Sequence, residues 1–159
     1  MKKIYITLSL LAGMSLAAQN KDTEKADKLF ARFEYVDAAT EYQKLVDSGK
    51  SDAYVYRQLA DSYYNVYNSK EAIKWYAKAT ESTQEAETYF KYAQMLKAEG
   101  KYPEANAQMK KFAGLAPNDQ RSVEFMKDPN YLPKLQSQTK LFDEVALGIN
   151  SGSSTSGLS

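Results

Sequence analysis

The sequence predicts an all-α fold, a right-handed solenoid of three helix pairs closed by a capping helix and followed by a flexible tail. Three observations predict it. Six register positions recur with a period of 34, then 33, residues. Helix-stopping and helix-starting residues fall at the boundaries which that period requires. After the third copy the chain turns to a short amphipathic stretch, then to a run rich in Gly, Ser and Asn.

The register justifies each pair in order. Ala26, Ala60 and Ala93 are equivalent, as are Leu29, Tyr63 and Leu96, and Tyr35, Ser69 and Tyr102. Ala38, Ala72 and Ala105 follow, then Tyr42, Tyr76 and Met109, then Leu45, Ala79 and Phe112. The small residues allow two antiparallel helices to approach closely, and the large ones fill the layer between them. In the second unit the helices are expected over about Asp52 to Tyr67 and Ser69 to Ser82. One pair cannot bury its apolar face alone, so each unit needs a neighbour. Ser48-Gly49-Lys50-Ser51-Asp52 supplies a stop and a new N-cap, Asn68-Ser69 and Gly100 mark the inner turns, and Ala116-Pro117-Asn118-Asp119 ends the third unit.

These boundaries divide the chain into residues 1–18, a secretory signal peptide, and 19–117, three repeat units at about 19–51, 52–85 and 86–117. Residues 118–138 are expected to form a capping helix and turn, with Gln120 to Lys127 helical and Val123, Phe125 and Met126 as its apolar contacts. Residues 139–159 read as a Gly/Ser-rich linker or tail. The leader has a charged start at Lys2-Lys3, an apolar stretch from Ile4 to Leu16 and small residues at Ala17 and Ala18 for cleavage. The apolar run is short for a membrane span, and no cysteine follows it to carry a lipid anchor. An uncleaved anchor is the other reading of this segment. Export to a periplasm is the expectation.

Composition excludes whole classes of chemistry. There is no cysteine and no histidine, so disulfides, thiol nucleophiles, histidine bases and zinc sites built on either residue are absent. Removing Lys2 and Lys3 from 21 basic residues leaves 19 against 20 acidic, a net charge near −1 and no footprint for nucleic acid. No phosphate-cradling glycine loop, catalytic constellation, cofactor motif or metal-ligand spacing occurs. Carboxylate pairs such as Asp37 with Glu41, or Glu81 with Glu85, read as solvated helix faces. The sequence therefore points to a binding module and not to an enzyme.

The residues resemble the tetratricopeptide (TPR) repeat family over roughly Asp22 to Pro117. The third unit carries the pattern best, with Tyr89, Tyr92-Ala93, Leu96, Ala105, Met109, Phe112 and Pro117. The second has Tyr56, Leu59-Ala60, Tyr63, Ala72, Tyr76 and Ala79, with Gln84 in place of the proline, and the first is degenerate at Asp22 and Lys25. An exported TPR segment followed by a capping helix and Leu141-Phe142-Asp143-Glu144-Val145-Ala146-Leu147 also looks like the N-terminal part of modular OmpA-family envelope proteins of type IX secretion and gliding motility. That resemblance implies an envelope-protein partner, such as an outer-membrane barrel or a secretion or motility component, and an outer-membrane association. The chain is then either a truncated member or a short stand-alone relative.

In such a stack the first helix of each pair lines the inner, concave surface. The residues between core positions there are Tyr54, Arg57, Asp61, Tyr64 and Asn65 in the second unit, and Glu87, Phe90, Gln94 and Lys97 in the third. Glu24, Asp27 and Phe30 come from the first. Tyr54, Tyr64 and Phe90 are expected as exposed aromatics beside Arg57 and Lys97, a composition favoured at interface hot spots. Asp61 and Glu87 on this surface are expected to repel a peptide C-terminal carboxylate. A stand-alone periplasmic binder of a peptide or glycan stays open as the alternative, with Tyr63, Tyr64 and Tyr67 as a stacking shelf.

Overall fold

The computed structural model describes residues 21–131 together with Lys134, Ser137 and Gln138. The leader at 1–18, the tail at 139–159 and part of the turn after the cap lie outside the described residues.

Seven helices are bounded in the described residues: α1 (Glu24–Ala31), α2 (Tyr35–Asp47), α3 (Ala53–Asn65), α4 (Ser69–Ala79), α5 (Ala86–Ala98), α6 (Tyr102–Leu115) and α7 (Gln120–Lys127). Each packs on the next, and α3 also touches α5. The result is an all-α helical-repeat solenoid with α1/α2, α3/α4 and α5/α6 as its pairs.

Local chemistry sets the helix ends. The Asp52 carboxylate accepts from the Val55 amide at 2.9 Å, Asn68 accepts from Glu71 at 3.3 Å, and Asp119 accepts from Arg121 at 2.8 Å. The first helix of every pair ends in the same paired hydrogen bonds. Gly100 N–H donates to the Lys97 carbonyl and Lys101 N–H to Leu96; Tyr67 and Asn68 repeat this toward Tyr64 and Tyr63, and Phe33 and Glu34 toward Phe30 and Leu29. This motif needs one residue with positive φ, supplied by Phe33 (62°), Tyr67 (56°) and Gly100 (69°). Only the third unit uses the residue that adopts this conformation without steric cost. The equivalent of Gly100 is therefore Tyr67, not the expected turn at Asn68-Ser69.

The six expected small residues, Ala26, Ala38, Ala60, Ala72, Ala93 and Ala105, are all buried, as are Tyr42, Tyr76, Met109 and Phe112. Val55, Leu59, Trp75 and Met95 join them in the core. Tyr56 stacks on Trp75 with ring centroids 5.9 Å apart, and Tyr76 on Tyr92 at 5.7 Å, carrying packing from α3 to α4 and from α4 to α5.

The cap spans the expected residues but packs by other means. Val123 and Met126 are exposed. Phe125 is half-buried against the α5/α6 core, and Ser122 is buried. Arg121 takes the place expected of an apolar contact. Its guanidinium lies 4.2 Å from the Phe90 ring centroid and 4.9 Å from that of Phe112.

Candidate functional site

Successive first helices are joined by a line of polar contacts. Tyr54 on α3 donates its hydroxyl to Asp27 Oδ1 on α1 at 2.8 Å. Lys91 on α5 donates to Asp61 Oδ1 on α3 at 3.0 Å. Arg121 on α7 forms a two-pronged pair with Glu87 on α5, at 3.2 and 2.8 Å. The second helix contributes in the first two units. Tyr42 donates to Asp27 and Tyr76 to Asp61, each at 2.6 Å.

This ladder corrects the expectation for Asp61. It is not a surface residue of the inner face: it is 5 % exposed, and one carboxylate oxygen accepts from both Tyr76 and Lys91. A carboxylate so placed is held in the core because it is paired. Glu87 is likewise compensated by Arg121. The two acids thus offer little free charge to repel a peptide carboxylate. Among the described residues, Arg57 and Lys97 on these helices have no acidic partner.

Burial raises the tyrosine hydroxyls of the ladder, and their carboxylate acceptors raise them further. Tyr54 is pushed up to about 12 and Tyr42 and Tyr76 higher still. These hydroxyls stay protonated as donors in the neutral range. They hold structure together and are poor candidates for proton transfer.

The remaining expected residues fall into two places. Tyr54 and Arg57 sit together, half-buried, with the guanidinium 5.5 Å from the Tyr54 ring centroid. Tyr64, Phe90 and Gln94, also half-buried, line one groove of about 450 Å³ between α3 and α5. Tyr67, Met95 and Ala98 complete its walls. Phe90 is no free aromatic, since Arg121 covers one side and Phe112 lies 5.2 Å away. Lys91 Nζ sits 5.5 Å over Tyr64. Asn65 turns back to donate to its own helix at the Asp61 carbonyl, 2.8 Å. Asn65 and Lys97 are exposed and do not line the groove. Of the unit-one residues, Glu24 pairs with Lys28 at 2.6 Å and Phe30 packs edge-on to Tyr35 at 5.2 Å. Of the three tyrosines of the stacking shelf, Tyr63 packs against the core, while Tyr64 and Tyr67 reach the groove.

Sequence reasoning gave Tyr67 only to that shelf, by its place in a tyrosine cluster. It sits at the mouth of the groove, 85 % exposed and with positive φ. Its register match to Gly100 was the available signal.

No protein-family model matches the sequence, and no curated protein matches it. Solved structures do. The first TPR domain of human RPAP3 matches with a TM-score of 0.58 and 18 % identity, over 74 % of this chain and 93 % of that one. The Yersinia enterocolitica type III secretion translocator chaperone SycD matches with a TM-score of 0.55 and 19 % identity, over 90 % of this chain and 97 % of that one. At such identities the likeness is one of fold: this chain has the helical-repeat fold of tetratricopeptide domains.

Proposed function

We propose that this chain is an exported, non-enzymatic scaffold that binds a segment of an envelope protein along its first-helix face. The groove between α3 and α5 carries the reading. It presents Tyr64, Tyr67 and Phe90 with one amide, Gln94, between two helices joined by the ion pair of half-buried Lys91 with buried Asp61. An extended segment with one large apolar side chain fits this chemistry: the ring-lined walls take the side chain and Gln94 takes a backbone group. Protein binding is the common use of repeat stacks of this kind.

The site of action is proposed from sequence. The Met1–Ala18 pattern supports export, and the resemblance of the C-terminal stretch supports an outer-membrane or type IX secretion and motility assembly. A full-length gene with no further domain would count against that assembly.

The test is an affinity pull-down from envelope extract with the chain starting at Gln19, beside a Tyr67→Ala/Gln94→Ala variant. Both positions lie outside the buried core, so the variant is expected to keep its helicity. One membrane-associated protein retained by the parent and lost by the variant supports the reading. Equal capture by both moves the working surface elsewhere. Saturable binding of a free glycan, lost in the variant, replaces the scaffold with a stand-alone ligand binder.

A further inference from the structure

Thr23, Arg57 and Phe90 occupy one register position, 34 and then 33 residues apart. Two of them are engaged within the fold. Thr23 donates its hydroxyl to Asp27 Oδ2 at 2.8 Å, and Phe90 lies between the Arg121 guanidinium at 4.2 Å and the Phe112 ring at 5.2 Å. Arg57 is different. It is half-buried and rests on the Tyr54 ring, yet its guanidinium makes no hydrogen bond and no ion pair among the described residues. A guanidinium carries five N–H donors in a planar fork. Partial burial takes water from that fork, and no acceptor of the fold replaces it.

The acids nearest in register are already engaged. Asp27 accepts from Thr23, Tyr42 and Tyr54, and Asp61 accepts from Tyr76 and Lys91. Arg57 also has a defined place relative to the first-helix groove. Arg57, Asp61 and Tyr64 are spaced i, i+4 and i+7, so they share one stripe of α3, and Tyr64 lines the groove. Arg57 thus stands about 10 Å before the groove along the helix axis. On α5 the matching stripe is Phe90, Gln94 and Lys97, and Lys97 follows the groove residues as a second cation with no acidic partner among the described residues. The ring-lined groove is therefore bracketed by a cation at each end.

We propose that Arg57 receives a side-chain carboxylate of the bound segment. The inference rests on the groove reading above and adds the charge that the segment must carry. An extended strand advances about 3.3 Å per residue, so the acid is an aspartate or glutamate about three positions from the apolar side chain held in the groove. The planar fork suits a two-pronged carboxylate pair, and Tyr54 supports it from one side. Cations at both ends fit a segment that crosses the groove, not one that ends in it. Lys97, exposed to water, adds attraction without a fixed geometry.

The test uses the full chain and three synthetic peptides, each acetylated and amidated so that no terminal charge contributes. All carry one phenylalanine in a Gly/Ser background. Aspartate, asparagine or lysine stands three positions to either side of it. Affinity is read by fluorescence anisotropy at low and high salt. The aspartate peptide is expected to bind about tenfold tighter than the asparagine peptide, with the lysine peptide weakest and the preference shrinking as salt rises. Arg57→Gln is expected to abolish the aspartate preference and leave the asparagine peptide unaffected, and Arg57→Lys to restore part of it. Arg57 has no polar partner to lose, so both variants are expected to keep parental helicity by circular dichroism. Equal binding of the aspartate and asparagine peptides, both weakened by Tyr67→Ala/Gln94→Ala, overturns the carboxylate proposal and leaves the groove standing. An aspartate preference that survives Arg57→Gln overturns the assignment to Arg57. No saturable binding of any peptide overturns the groove reading and this proposal with it.

Discussion

The second repeat carries Asp61 where the third carries Gln94, and Tyr76 where the third carries Met109. Around Asp61 a hydroxyl from the same unit and an ammonium from the next converge on one buried oxygen. The third unit has no such centre and is joined to the cap from outside, by an arginine lying over Phe90 and Phe112 and reaching Glu87 and Asp119. Both junctions hold similar helices in similar positions. The first does so around a carboxylate that has left water and cannot be left unpaired, the second with groups that keep much of their hydration. The difference predicts unequal sensitivity along the stack.

Asp61→Ala tests that inequality most sharply. It leaves Lys91 and the Tyr76 hydroxyl without their partner in a largely dry site, and is expected to cost about 3 kcal/mol. Gln94→Ala at the same register position is expected to cost under about 1 kcal/mol. Urea unfolding of the two variants against the parent checks this. Equal losses would mean that the two units are held by packing alone.

Alkaline pH strains the N-terminal side of the comparison next. Tyr42, Tyr54 and Tyr76 have raised values in the fold, first from burial and then from Asp27 or Asp61, against 10.0 for a free tyrosine. The folded state thus binds protons that the unfolded chain releases. Their contribution to stability is full below about pH 10 and is lost as pH rises from 10 through 12, where Tyr54 titrates. Helicity melts across this range should fall steeply while tyrosinate absorbance lags behind that of the unfolded chain. An unchanged melting point up to pH 12 would refute the assignment.

How much of this was legible in the sequence follows from what repeats encode. The alanines and large core residues were readable because packing is periodic and each copy votes on the register. Asp61 was misjudged because a position between core residues was taken to face water. The correcting signal was present. Asp27 and Tyr42, like Asp61 and Tyr76, are 15 residues apart, and a tyrosine at a buried position needs a partner for its hydroxyl. The groove was half legible: Tyr64, Phe90 and Gln94 were named for the inner face. The cap's Arg121 was not, since it meets Phe90, Phe112 and Glu87 of the third unit only once α7 packs on the α5/α6 pair.

Arg121→Ala sharpens the C-terminal half of the comparison at smaller amplitude. It removes two ring contacts and the ion pairs to Glu87 and Asp119, an expected loss of about 1 kcal/mol. Hydrogen exchange should show the loss confined to α7 and its contacts on α5 and α6. Protection lost as far as α3 would show that the stack unfolds as one unit and that the contrast between its two ends is not energetic.

The smallest expected effect separates stability from binding. Phe33 and Tyr67 hold the left-handed conformation that Gly100 adopts in the third unit, at a steric cost of about 1 kcal/mol for a residue with a side chain. Both rings are exposed, at 76 % and 85 %, so little packing offsets that cost. Each substitution to glycine is therefore expected to stabilise the fold, by about 0.5 kcal/mol after the added freedom of the unfolded chain is counted. They part company at the groove. Tyr67→Gly removes a wall of the candidate site and should weaken partner capture even as the melting point rises; Phe33→Gly, at the matched position of a unit without that groove, should raise the melting point alone. A strained tyrosine whose removal helps folding and harms binding would be a residue kept for its contact. A Tyr67→Gly variant that gains stability and binds as before would remove this ring from the site and leave Tyr64, Phe90 and Gln94 to define it.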